Sequence, residues 1–170
     1  MISNFKDKTT ENYYLEPGYI FLAEKPTSIS TVVGSCVSVC IYDRKRKVGG
    51  MNHFQVPSAT DSEQATARFG NVATITLIRM MIHDGSKIKN LEAQILGGAH
   101  NSKVSPKDIG FENIMAAKKI LTRDRIRVTS EDVRGNKGRK IVFNTGTNEV
   151  AVFKVDKLRE SDWYPYKSNR

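Results

Sequence analysis

Two alternating runs separated by five polar residues constrain this chain more than anything else in it. Val37-Ser38-Val39-Cys40-Ile41-Tyr42 alternates as a half-buried strand does, and residues 48–56 read as its return partner. Asp43-Arg44-Lys45-Arg46-Lys47 between them reads as the turn. The hairpin begins at Gly34-Ser35-Cys36 and carries His53 on its way back. If residues 44–47 form a four-residue loop, Asp43 pairs with Val48 and Cys36 lies opposite Gln55. A two-residue loop at Arg44-Lys45 puts Cys36 opposite His53. Both registers leave Cys36 and His53 on one face, because side chains alternate with period two. A bulge at Gly49-Gly50 would spoil that parity.

The hairpin's two faces differ. Val37, Val39, Ile41, Phe54 and Val56 form a core face; Cys36, Ser38, Cys40, His53 and Gln55 form a polar, reactive one. A thiol attacks a carbonyl carbon as the thiolate, so it needs a neighbour that takes its proton. Cys36 and His53 are therefore candidate nucleophile and base. Spacing alone favours the plainer reading, in which both cysteines pack as small hydrophobes and the histidine is a hydrogen-bonded strand residue.

Elsewhere the pattern alternates between strands and helices. Residues 13–24 hold one or two short strands around a Pro17-Gly18 turn, and residues 29–33 a strand that feeds Gly34. A helix is expected over 64–84, with Ser62 as N-cap and Asp84-Gly85 as its stop. A strand over 91–96 ends in Gly97-Gly98, and a loop with Pro106 leads to a second helix over 111–122. Strands follow at 126–130, 139–145 and 149–154, joined by Gly- and Asn-rich turns. Short strand-to-strand connections and two helices give an α+β domain with a mostly antiparallel sheet and the helices packed on it.

The 170 residues suit one domain, with a core over about 13–155, a polar segment at 1–12 and an aromatic tail at 156–170 that docks or is disordered. Against 18 Asp+Glu stand 27 Lys+Arg, a net charge of +9 that favours acidic partners without choosing among them. The two cysteines lie four apart in one strand, which argues against a disulfide between them and for a reducing compartment. Neither an apolar leader nor a membrane-spanning run is present in the sequence, so it reads as soluble and cytoplasmic.

The string from Gly34 to Asp43, followed by Val48-Gly-Gly-Met-Asn-His53, resembles the active-site segment of the chemoreceptor glutamine deamidases, the CheD family. Leu96-Gly-Gly-Ala99, Gly110-Phe-Glu-Asn-Ile114 and Gly138-Arg-Lys-Ile-Val-Phe143 resemble further family segments in order and spacing. The resemblance implies a layered α/β sandwich. It also implies a cysteine amidohydrolase that converts chemoreceptor glutamines to glutamates through a thioester, with no cofactor and no metal. Cys36 matches the family's nucleophile and His53 its base. The family's third catalytic residue is a threonine six positions before the cysteine; Ser30 stands there and is the expected third catalytic residue, with Thr31 beside it as the alternative. Arg134 departs from the family pattern where a glycine is usual. A left-handed backbone there would resist arginine, so a rebuilt turn is the expectation. The resemblance further implies chemoreceptor cytoplasmic helices as substrate and a CheC-type phosphatase as partner.

Three other readings compete. A non-catalytic adaptor for a CheC-type phosphatase draws on Ser30 in the third position. A nucleic-acid module draws on the net charge and the 44–47 run, without any zinc-finger or aromatic-basic motif, and no nucleic acid is the expectation. A metal site from Cys36, Cys40, His53 and His100 lacks a standard zinc spacing. His83 and His100 read as structural or surface residues.

Overall fold

A computed structural model of the chain describes residues 10–157. The polar segment at 1–9 and the aromatic residues 163–166 lie outside the described residues. Nine strands and two α-helices form three layers among the described residues. The strands are β1 (Glu11–Tyr14), β2 (Ile20–Leu22), β3 (Thr27–Val33), β4 (Val37–Asp43), β5 (Val48–Asn52), β6 (Leu91–Gly97), β7 (Arg127–Val133), β8 (Gly138–Asn144) and β9 (Val150–Val155); the helices are α1 (Gly70–His83) and α2 (Ile109–Arg123). One sheet runs β2-β5-β4-β6-β7 and the other β1-β3-β8-β9.

The layered α+β sandwich is found, with two sheets where the element pattern alone gave one. Pairing is still mostly antiparallel; only β1 with β3 and β6 with β7 run parallel. The β6-α2-β7 crossover accounts for one parallel pair, since parallel neighbours need a connection that returns the chain to its starting end.

Each helix packs its apolar stripe on the outer face of the five-stranded sheet. Leu77, Ile78 and Met81 of α1 and Ile114, Ala117 and Leu121 of α2 bury against Val37, Val39 and Ile41. A second core lies between the sheets, where Leu15, Ile29, Val33, Ile141 and Phe143 meet Cys40, Met51 and Leu96. Both faces of the Cys/His hairpin are therefore covered. The face that alternation marks as polar and reactive is an inter-sheet interior, in which Ser38 and His53 are fully buried.

The helix expected over 64–84 starts six residues later. Ser62 sits in a short 3-10 turn capped by Asp61, and Phe69 precedes the helix without a side-chain cap. The reason lies in the neighbouring strand: the Arg68 carbonyl receives the N–H groups of Gln55 and Val56, and the Gly70 N–H donates to the Val56 carbonyl. Those groups are occupied by the extension of the histidine strand and cannot enter a helix ladder. The stop at Asp84-Gly85 is found, with Gly85 at φ +110°. The second helix begins two residues early because Asp108 caps it by accepting from the Phe111 N–H at 3.0 Å. No described helix is long and apolar enough to cross a membrane.

Candidate active site

Asp43 sets the register of the hairpin. Its carboxylate accepts the N–H groups of Lys45 (2.9 Å) and Arg46 (3.0 Å), and its carbonyl takes the Lys47 N–H (2.8 Å). These bonds close a four-residue loop at 44–47 and pair Asp43 with Val48. The register runs unbroken through Gly49 and Gly50, so there is no bulge. Beyond β5 the bridge Val37–Phe54 keeps the same offset. Cys36 therefore faces Gln55, His53 faces Ser38, and Cys36 and His53 are diagonal neighbours on one face, a separation of roughly 7–8 Å between Cα atoms. Arg46 of the charged turn is tied to Asp84 (3.0 Å) and Ser86 (3.0 Å), and Arg44 to the Lys89 carbonyl, so two of its four cations serve the fold.

His53 is held on every side. Its N–H donates to the Tyr19 carbonyl and its carbonyl accepts from the Gly18 N–H. The preceding residue, Asn52, accepts the Val39 N–H on its side-chain oxygen at 2.9 Å and so replaces a missing ladder bond. The ring's Nδ1 lies 2.7 Å from the hydroxyl of Thr31, which lies 2.7 Å from the Leu15 carbonyl. A hydroxyl has one hydrogen. Only one arrangement places a proton in both contacts: Thr31 donates to Leu15, and Nδ1–H donates to Thr31. The tautomer is thereby fixed, and Nε2 carries the lone pair. Nε2 is buried and has no hydrogen-bond partner among the described residues.

Ser30 is the hydroxyl expected at the imidazole, and the structure brings Thr31 there instead. Alternation along β3 decides this: Thr31 faces the inter-sheet interior at 1 % exposure, and Ser30 points to the opposite face.

Cys36 is half-buried beside the exposed Ser35, at the end of the inter-sheet layer. Burial pushes its thiol up to about 11, offset in part by its own backbone N–H. Burial lowers His53 to about 4. The resting pair is therefore a neutral thiol and a neutral imidazole over a wide pH range, not a preformed ion pair. Cys40 is an inert core residue, its thiol pushed up by burial. Both cysteines are free. A cleft of about 240 Å³ opens next to Ser35, bounded by Ala99, His100, Val104, Lys107 and Ile109. His100 lines that cleft with Nδ1 3.8 Å from Asp108, and His83 lies in the last turn of α1. No group of three potential metal ligands occurs among the described residues.

Arg134 corrects another expectation. The arginine accepts the left-handed backbone it was expected to avoid: Arg134 occupies φ +71° and Gly135 φ +72°. The arginine is held there by a two-pronged ion pair with the α2 cap Asp108 (2.9 and 2.6 Å) and by stacking 5.6 Å above Phe111. The Arg134 guanidinium, with the Phe111 N–H, lowers Asp108 to about 2.

Asn113 is the functional candidate whose role sequence reasoning missed. It is fully buried on α2, and its amide donates to the carbonyls of Ser35 (2.9 Å) and Gln55 (3.1 Å). The signal was present, as a polar residue on the inward stripe of an amphipathic helix beside Ile114 and Ala117.

Fold and site together define a three-layer α+β sandwich with a half-exposed cysteine and a threonine-oriented, buried histidine at one end of the inter-sheet layer. The chain belongs to the CheD family: the family model described as CheD chemotactic sensory transduction matches residues 55–154. Among curated relatives, the Probable chemoreceptor glutamine deamidase CheD 1 of Anaeromyxobacter dehalogenans is 41% identical over 133 residues, 77% of each chain. The Probable chemoreceptor glutamine deamidase CheD of Sulfurimonas denitrificans is 34% identical over 150 residues, 86% of this chain and 96% of the relative. That of Clostridium acetobutylicum is 39% identical over 137 residues, 76% and 82%.

Proposed function

We propose that this protein is a protein-glutamine deamidase acting on chemoreceptor glutamine side chains, with Cys36 as nucleophile, His53 as general base and acid, and Thr31 as the residue that orients His53. The observation that carries the reading is the Leu15–Thr31–His53 hydrogen-bond chain, which leaves Nε2 unprotonated on the face that holds Cys36. The names of the relatives supply the substrate class.

Because the resting thiol is neutral, its proton moves to Nε2 as sulfur attacks the side-chain amide carbon. The carbonyl electron pair goes to oxygen, and the oxyanion is met by the backbone N–H of Cys36 and of Ser35. The imidazolium returns its proton to the amide nitrogen, the C–N bond breaks, and ammonia leaves. Water then adds to the thioester with His53 again taking a proton; the C–S bond breaks, leaving glutamate and the free thiol. The reaction needs no metal or cofactor. The product side chain carries a new negative charge, which changes the electrostatics of a receptor helix bundle. Chemoreceptor cytoplasmic helices as substrate, and a CheC-type phosphatase as partner, complete the reading on the strength of the family resemblance. The adaptor alternative drew on Ser30 in the third position; a Thr31 hydroxyl 2.7 Å from the imidazole supports the catalytic reading instead.

Peptide mass spectrometry of a chemoreceptor cytoplasmic fragment tests the proposal. A gain of about one mass unit at glutamine is expected with the wild type and not with Cys36→Ala. A fragment that stays unmodified while binding the protein would move the reading to an adaptor.

A further inference from the structure

Three successive carbonyls around the nucleophile are held from outside the loop. Gly34 accepts from the Ala99 N–H (2.9 Å), Ser35 from the Asn113 amide (2.9 Å) and Cys36 from the Gly98 N–H (2.9 Å). The peptide bonds are trans, so each carbonyl points opposite to the N–H of the next residue. Fixing the Ser35 carbonyl therefore fixes the Cys36 N–H, and that N–H lies beside the Cys36 thiol. Neither the Ser35 nor the Cys36 N–H has a backbone acceptor among the described residues.

Asn113 stands where the strand ladder fails. In a continued register Val56 would donate to the Ser35 carbonyl, but the Val56 N–H goes to Arg68. The Asn113 side chain takes the vacant position and spans to the Gln55 carbonyl, opposite Cys36. Since both its partners are carbonyls, the amide orientation is settled: the NH2 group faces them. The other amide atom, Oδ1, is left buried without a partner among the described residues. An unsatisfied buried acceptor is a cost that folding alone would select against. The approach is also deliberate in its sterics. A Cβ on Gly110 would lie 2.5 Å from the Gly98 carbonyl oxygen, and one on Gly98 2.5 Å from Ile114, so only glycine at both places lets α2 come close enough for Asn113 to reach.

We propose that Asn113 is a positioning residue for the deamidation. By holding the Ser35 carbonyl it presets the Cys36 N–H as an oxyanion donor, and by holding the Gln55 carbonyl it ties the histidine strand to the nucleophile loop. The inference rests on the deamidase reading given above.

The test compares wild type with Asn113→Ala and Asn113→Ser, both smaller than asparagine, so neither overpacks α2. Three readouts are taken: kcat and KM on a chemoreceptor cytoplasmic fragment, the rate of Cys36 alkylation by iodoacetamide, and the thermal transition. Alkylation forms no oxyanion. The expected result is a fall of about 100-fold in kcat, with KM and the alkylation rate each within about threefold of wild type. A folded variant with kcat within about threefold of wild type overturns the proposal. So does a parallel fall in kcat and alkylation, which would place the effect on the thiol. Loss of the cooperative transition in both variants also overturns it, because Asn113 would then hold the fold. A wild type without turnover is a different failure: it refutes the deamidase reading and takes this one with it.

Discussion

Replacing Thr31 by valine removes one hydroxyl and keeps the branched shape, so it isolates the hydrogen-bond chain that fixes the imidazole. In the native arrangement Nδ1–H donates to Thr31 at 2.7 Å, and Thr31 donates to Leu15 at 2.7 Å. His53 is fully buried, so in Thr31→Val no water replaces the lost acceptor. A buried donor left without a partner costs about 1–3 kcal/mol. Two responses are open to the ring. It can keep its tautomer and bear that cost, or it can shift the proton to Nε2 and lose the lone pair that takes the thiol proton. Shifting the proton avoids that cost, so the active tautomer becomes the minor form by the same amount, and at about 1.4 kcal/mol per decade the expected loss in kcat is about 5- to 150-fold. Ser30→Ala, one residue away on the other face of β3, should leave kcat within about twofold of wild type. Deamidation kinetics on a receptor fragment measure both variants, and nitrogen-detected NMR of His53 reports the tautomer. A Thr31→Val protein with wild-type kcat and the Nδ1–H tautomer intact would refute the reasoning, as would a Ser30→Ala protein as impaired as Thr31→Val.

Other predictions follow from the same site. Folding depresses His53 from 6.5 to about 4, so the unfolded state binds more protons between those values, and stability is lost as pH falls through that window. The loss is about 3 kcal/mol, measured by denaturant unfolding from pH 7 to pH 4, and His53→Gln should flatten it. Over the same range kcat/KM should fall only as pH approaches about 4, where the base is protonated. Iodoacetamide should label Cys36 and spare Cys40 in the folded protein, with the Cys36 rate rising as pH approaches about 11; peptide mapping after a timed quench reads both sites. Asp43→Ala removes the two side-chain bonds that close the hairpin turn and should lower unfolding free energy by about 1–3 kcal/mol. Arg134→Gly relieves a left-handed arginine but gives up its ion pair with Asp108; added salt should lower the melting temperature of wild type more than that of the variant.

The hairpin was legible because its physics is local. Alternation, a charged turn with Asp43 at its head and a buried return strand specify one face for Cys36 and His53, and one of the two registers open to the sequence is the one found. The second sheet was not legible. β1 and β2 are adjacent in the chain yet belong to different layers, and nothing in a short alternating run tells which of two sheets it will join. The start of α1 escaped for a related reason: the backbone at 68–70 bonds to Gln55 and Val56, a tertiary demand that overrides a serviceable N-cap at Ser62. Ser30 and Thr31 show the limit at the site. Both carry hydroxyls, and only the phase of β3 relative to the inter-sheet interior separates them. The polar face of the hairpin was identified but its surroundings were not, since burial between two sheets depends on strands outside the hairpin, β3 before it and β8 far along the chain.

The central claim is that Cys36 forms a thioester with the substrate glutamine, and acid-quenched intact mass spectrometry tests it most directly. Wild type mixed with a receptor-derived glutamine peptide should gain the peptide mass less about 17 mass units, the ammonia released on acylation. The adduct should map to Cys36, discharge in hydroxylamine and be absent in Cys36→Ala. Deamidation that proceeds without the adduct and survives Cys36→Ala would contradict the account.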